Sequence, residues 1–179
     1  VRTIVAVDLE TTGFSTKKDS ILEIGVVVFK PYQNKLIEWS TLIGPPPVIT
    51  QETTDLTGLT LKDFTNKNTI SIKEALTHFR RVLVPLKNYV IVAHNAAFDL
   101  RFLNAYLPAN GLREIRKEKT FCTFRTFQKK HPKQSATLSD ACKKYRIKST
   151  GIEHRALDDA KKCFNLYLKL NKVNLRIIK

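Results

Sequence analysis

The 179-residue chain has no methionine and only three cysteines. Cys122, Cys142 and Cys163 are far apart, odd in number and in no C-x-x-C pair. That argues against a disulfide framework or a cysteine zinc site and fits small core residues of a reduced, cytoplasmic protein. The missing methionine, with Val1 at the start, is compatible with a removed initiator or with a domain cut from a longer chain. No apolar run approaches the roughly 20 residues that span a bilayer. The N-terminus, one Arg and then a strand pattern running into Asp8, is not a signal peptide. No repeat, low-complexity segment or linker divides the chain, so residues 1–179 are expected to form one domain.

Acids are scarce too. Sixteen Asp and Glu face 31 Lys and Arg, a net charge of +15. Such a balance implies a polyanionic partner, nucleic acid before membrane, because no basic amphipathic segment stands out as a surface anchor. The bases are uneven: Arg113 to Lys148 holds 12 Lys and Arg against 3 acids, and the tail from Lys161 adds six bases and no acid. If the first run borders a binding groove, Lys129, Lys130 and Lys133 are expected to contact phosphates.

What is present reads as an α/β chain. Ile4 to Val7 is a continuous apolar run, as in a strand buried on both faces. Ile21 to Phe29 reads as a second strand, interrupted by Glu23 as an edge or rim residue, and Leu36 to Ile43 as a third, with Pro31 to Asn34 turning between them. Gly44-Pro45-Pro46-Pro47 ends this antiparallel half. Thr50 can cap a short helix stopped by Gly58, and Asp63 to Asn68 is polar loop. Ser71 and Glu74 form a capping box opening a helix to about Leu86. Tyr89 to Ala93 is a fourth strand, followed by a helix from Asn95 to about Leu107, capped by Asn95. A short strand or helix starts at Phe121, Thr137 caps a helix through Tyr145, and a last helix runs from about Arg155 to Asn171. Three strands followed by alternating strands and helices predict a mixed β-sheet with helices packed on it.

Three stretches carry chemistry. Asp8 and Glu10 sit two apart at the end of the first strand, so both side chains point to one face, an expensive arrangement unless a cation lies between them. In the helix after His94 and Asn95, Phe98, Phe102, Leu103, Tyr106 and Leu107 form an apolar arc with Asp99 near its middle. An unpaired carboxylate there would neutralise or destabilise the fold. Finally, His154 stands beside a helix start with Asp158 and Asp159 close behind. Four carboxylates and a histidine match the needs of phosphoryl chemistry with two divalent ions about 4 Å apart. Hard oxygen ligands suit Mg²⁺ or Mn²⁺, and a histidine titrating near neutrality can take a proton from the attacking water. Helical phase favours Asp159 over Asp158 for this role: Asp159 lies at the edge of the inward stripe Ala156, Ala160, Cys163, Tyr167 and Leu170, whereas Asp158 projects with Lys162, Asn165 and Lys169 towards water.

These stretches, D-L-E-T-T-G at Asp8 to Gly13, H-N-A-A-F-D-L-R-F-L at His94 to Leu103 and H-R-A-L-D-D-A at His154 to Ala160, resemble the three motifs of the DnaQ-like DEDDh 3′→5′ exonucleases, among them the epsilon proofreading subunits of bacterial DNA polymerase III and their free-standing relatives. The resemblance implies an RNase H-like fold, two Mg²⁺ or Mn²⁺ ions and release of nucleoside monophosphates from single-stranded or frayed 3′ ends. By motif position, Asp8 would bridge both metals, Glu10 and Asp159 would hold one, Asp99 would reach the other, and His154 would be the general base. Thr11, Thr12, Val48, Glu52, Thr57 and Phe98 would hold the terminal nucleotide, with Thr57 standing where epsilon proteins often carry His. A DNA polymerase subunit is a further implied partner. DNA is the expected substrate. An exoribonuclease is the alternative within the class, and a non-catalytic nucleic-acid binder on the same fold is the alternative outside it.

Overall fold

The computed structural model describes residues 2–64, 68–83, 85–86, 88–148 and 155–173. Six strands form one mixed sheet. β1 (Thr3–Thr11), β2 (Ile21–Lys30) and β3 (Lys35–Ile43) run antiparallel, while β5 (Tyr89–Ala93) lies parallel to β1 and β6 (Thr120–Cys122) parallel to β5. The spatial order is β4-β3-β2-β1-β5-β6. β4 (Thr69–Ile70) pairs with the end of β3. At two residues it is too short to carry a periodic signal, and it went unforeseen beside the expected polar loop.

The helices are α1 (Gln51–Thr57), α2 (Ile72–Leu83), α3 (Ala96–Ala109), α4 (Thr123–Lys130), α5 (Leu138–Tyr145) and α6 (Ala156–Leu170). Local chemistry sets most of their ends. Thr50 accepts from the Thr53 N–H, and Gly58 takes the left-handed conformation that closes α1. Ser71 and Glu74 bond reciprocally at the start of α2, and Thr137 accepts from the Asp140 N–H at the start of α5. α2 ends at Leu83, short of the expected Leu86, just before Pro85, which has no N–H for the helical ladder. Asn95 makes no side-chain capping bond; its carbonyl alone accepts the first helical N–H, from Phe98. The strand or helix expected from Phe121 proves to be both in succession: Phe121 lies within β6, which passes directly into α4 at Thr123.

β1 is apolar on both faces for a topological reason. Val5, Val7 and Leu9 pack with residues of β2, α2 and α3 on one side of the sheet. Ile4 and Ala6 pack with Val27, Phe29, Val92, Cys163 and Phe164 under α6 on the other. Asp8 and Glu10 share the parity of Ile4 and Ala6 and therefore face α6. Opposite Asp8 stands Gly25, where a Cβ would lie 2.2 Å from the Ala156 carbonyl carbon and 2.4 Å from the Leu157 nitrogen. The missing side chain lets the N-terminus of α6 rest on the sheet beside the acids of β1. A further layer, α4 and α5, covers α6 from outside, with Leu166 and Leu170 packed against Phe127, Ala136 and Ala141.

Gly25→Ala is expected to destabilise the protein by about 2 kcal/mol through overpacking, lowering Tm by about 4–8 °C. Thermal unfolding followed by circular dichroism measures this; an unchanged Tm would show that α6 is not seated by Gly25.

Candidate active site

Asp8 and Glu10 on β1 and Asp159 on α6 each offer a carboxylate oxygen, and these oxygens lie within 4.8 Å of one another. A bulge at Leu22 shifts the β1–β2 register just beyond Glu10, so regular pairing stops where the acids end and the Thr11 to Gly13 turn begins. Asp99, on the first turn of α3, is 5% exposed. β1 pairs with β5 only from Thr3 to Ala6, which leaves the Leu9 N–H directed at α3; with the N–H of Asp99 itself it favours the charged form of that carboxylate.

The electrostatics follow from this crowding. Burial, then the charges of Asp99, Glu10, Asp159 and Glu23, drives the Asp8 carboxyl well above the ordinary carboxylate range. Burial, with Asp159, Glu23 and Asp99, raises Glu10 to about 9, against a small opposing pull from Arg155. Asp99 is raised to about 7, chiefly by burial. Acids held this way are a cluster short of positive charge. The donor set is all hard oxygen, which fits a divalent cation such as Mg²⁺ or Mn²⁺ bound by Asp8, Glu10 and Asp159. The cysteines do not compete for that part: Cys142 and Cys163 are buried and their thiols pushed up by burial, Cys142 to about 11.

Glu23 and the Asp158–Lys162 pair stand where their sequence pattern does not predict. Glu23 is no rim residue. It is 1% exposed, directly opposite Glu10, and takes both a two-pronged ion pair from Arg155 at 3.0 and 3.1 Å and the Ala156 N–H at 3.2 Å. A β-strand acid thus caps α6, where the helix dipole favours negative charge. Asp158 and Lys162 do not project into water either. They are 5% and 9% exposed, because α5 covers the face of α6 that a helix lying on a sheet alone would leave open. The Lys162 ammonium reaches Asp158 and Asp159 at 2.8 Å each. Burial works against its charge, but the bonds to the two acids outweigh burial and hold its pKa above the ordinary value. Asp159 nevertheless stands with Asp8 and Glu10, as the helical phase predicts.

The other expected residues divide. Phe98 is half-buried and meets the ring edge of the exposed Phe14, beside Asp99. The Thr11 hydroxyl donates to the Gly13 carbonyl, and the Thr12 hydroxyl bonds Asp19 and the Ser20 N–H, so both shape the turn after β1. Val48 and Glu52 are exposed ahead of and within α1, which lies against β1. Thr57 is buried, its hydroxyl spent on the Thr53 carbonyl and the Leu59 N–H. His94 bridges Thr123 and the Ala136 carbonyl and is a packed strut of the α3–α4 corner. His154 lies outside the described residues. Glu23, Arg155, Lys162 and Gly25 were not foreseen as parts of the site. A lone acid in a nine-residue apolar strand was the available signal for Glu23.

An open mixed sheet with converging acids on its central strand and closing helix is the frame of an α/β exonuclease domain. Residues 5–167 match the RNase_T exonuclease family, and the chain belongs to that family. The PolC-type DNA polymerase III of Thermotoga petrophila is 33% identical over 179 residues, 98% of this chain, and this chain spans 12% of that polymerase's length. The DNA polymerase III epsilon subunit of Treponema pallidum is 31% identical over 170 residues, with 90% of this chain and 73% of the subunit covered. Among solved structures, the nuclease domain of 3′hExo, a DEDDh family member bound to rAMP, matches with a TM-score of 0.74 at 17% identity over 99% of this chain and 96% of that domain. The fold is the RNase H-like fold of the DEDDh exonucleases. No helix among the described residues is long and apolar enough to cross a membrane.

Asp158→Ala is expected to cost about 2–3 kcal/mol in the metal-free protein, because it strips a buried lysine of one of two acids. Asp159→Ala, which also relieves repulsion with Asp8 and Glu10, is expected to cost less. Urea denaturation of both variants in EDTA measures this, and a larger cost for Asp159→Ala would reverse the assignment.

Proposed function

We propose that residues 1–179 form one domain that cleaves mononucleotides from the 3′ ends of nucleic acid with the help of divalent metal ions, with DNA as its main substrate. The observation that carries this reading is the meeting of Asp8, Glu10 and Asp159 from two distant segments within 4.8 Å. Mg²⁺ or Mn²⁺, when bound, would stabilise charge on the attacking and leaving oxygens of the phosphodiester. Asp8, Glu10 and Asp159 would hold one such ion in this proposal, and Asp99 would support a second from α3. Lys162 and Arg155 keep the acids from dispersing, the first by holding Asp159 and the second by neutralising Glu23. His154 accepts the proton of the attacking water. Phe98, Val48, Thr11, Thr12, Glu52 and Thr57 shape the seat of the terminal nucleotide, Thr57 through the end of α1 rather than through its own hydroxyl.

DNA is favoured by relatives that are named as DNA polymerase III, and we propose that the domain works beside a DNA polymerase in the cytoplasm. A second reading, an exoribonuclease, draws on one observation: the 3′hExo nuclease domain is bound to rAMP. Rates on matched DNA and RNA oligonucleotides decide between them.

With Mg²⁺ or Mn²⁺, nucleoside monophosphates should be released from the 3′ end of a single strand, with none in EDTA. Asp159→Ala should lose several orders of magnitude in turnover, and Asp158→Ala should stay within a few-fold wherever it remains folded. His154→Gln should lose turnover but keep metal binding. Loss of all release in the parent protein would leave only a nucleic-acid binder.

A second expectation needs no turnover. Glu10 at about 9 and Asp99 at about 7 hold protons in the folded, metal-free chain at pH values where the unfolded chain has released them. The folded state then binds more protons than the unfolded state, so stability is full at low pH and lost as pH rises through those values. Tm in EDTA should fall from pH 5 to pH 9, and millimolar Mg²⁺ or Mn²⁺ should raise it most at the alkaline end. A Tm flat with pH and unmoved by metal would contradict the cation site.

A further inference from the structure

Beside α3, on the side away from Asp99, is a cavity of about 330 Å³ whose lining includes Ala97, Leu100, Arg101, Lys117, Cys122 and Arg125. Its cations come from three separate elements: Arg101 from α3, Lys117 from the 3-10 turn Lys117–Lys119, and Arg125 from α4. No acid lines it. Small and apolar side chains of α3 make its floor, a surface that accepts sugars and bases while the guanidinium and ammonium groups meet phosphate oxygens.

Arg101 ties this cavity to the acids. Its guanidinium lies 5.8 Å from the centre of the Phe98 ring and donates at 2.9 Å to the Phe14 carbonyl. Phe14 is 74% exposed and stands edge-on to Phe98, the neighbour of Asp99 in sequence. Arg101 thus borders both the cavity and the Phe14–Phe98 pair next to Asp99. The bases expected to serve as phosphate contacts are placed differently. Lys130 donates at 2.6 Å to the Leu170 carbonyl and so closes the C-terminus of α6, and Lys129 and Lys133 are solvent-exposed outside this cavity.

We propose that the nucleic-acid strand on the 5′ side of the cleaved linkage crosses α3 at Arg101 and enters this cavity, with Arg101, Lys117 and Arg125 against its phosphates. The proposal rests on the exonuclease reading for the strand's direction, and it assigns the domain a substrate longer than the terminal nucleotide. It also separates two roles within the basic run: Lys117 and Arg125 bind substrate, whereas Lys130 holds the fold.

The test compares the parent, Lys117→Ala/Arg125→Ala, and Lys129→Ala/Lys133→Ala as a charge-matched control. Binding of fluorescent octathymidylate is measured in EDTA over a range of salt, where no catalysis is needed and the bare acids contribute no attraction. Removing two phosphate contacts from a single strand should flatten the slope of log affinity against log salt by about 1.4. The control should flatten it far less. With Mg²⁺, the cavity variant should also raise KM for the octamer at least fivefold more than KM for the dinucleotide. A slope unchanged in the cavity variant, or flattened equally in the control, overturns the strand path, as does an equal rise of KM on both lengths. If the parent cleaves nothing but the cavity variant alone shows the slope change, the exonuclease reading falls and the path into the cavity stands.

Discussion

Everything in this domain is arranged around an electrostatic difficulty at the end of β1. Burial, together with the charges of Asp99, Asp159 and Glu23, raises the proton affinity of Asp8 and Glu10, and the Glu10 charge raises that of Asp8 further. A fold can carry such a cluster only if something offsets it. Two fixed cations, Arg155 and Lys162, provide part of the offset: they pair with Glu23 and Asp158, and Lys162 also holds one oxygen of Asp159. Among the described residues neither Asp8 nor Glu10 makes an ion pair with a fixed cation, and that shortfall of positive charge is what fits the Asp8, Glu10 and Asp159 cluster to a divalent cation.

The placement of α6 decides whether this can work. Its N-terminus rests on the sheet because Gly25 presents no side chain, and the Glu23 carboxylate receives the Ala156 N–H. The same contact sets the phase of the helix, so Asp159 turns towards β1 one residue after Asp158 turns towards Lys162 and α5. Stability and chemistry are thereby coupled through a single helix end: the interactions that anchor α6 are also those that fix the distance between the acids of β1 and the acid of α6.

The surface repeats this division of labour among charges. A net charge of +15 suits a polyanionic partner, but the bases are not equivalent. Some, such as Lys130 and Arg155, complete helix ends or neutralise buried acids. Others, such as Arg101, Lys117 and Arg125, face an open cavity and remain available to phosphates. Only the second kind should shape how substrate affinity responds to salt.

Much of this was legible in the sequence because it depends on local pattern. The apolar run into Asp8, the two-residue spacing of Asp8 and Glu10, the arc that buries Asp99 and the caps at Thr50, Ser71 and Thr137 are properties of single strands and helices, and the structure agrees with each. Helical phase and motif position both point to Asp159 rather than Asp158, and Asp159 does join Asp8 and Glu10. The sequence could not disclose what a second layer does to a helix. A period of about 100° per residue distinguishes one face from the other only when a single face is covered. With α6 packed on the sheet from below and beneath α4 and α5 from above, Asp158 and Lys162 became buried partners, and Glu23, an outlier in a strand, became the cap of a helix more than 130 residues away in the chain. Those pairings join segments that the sequence keeps far apart, so only the tertiary structure could decide them.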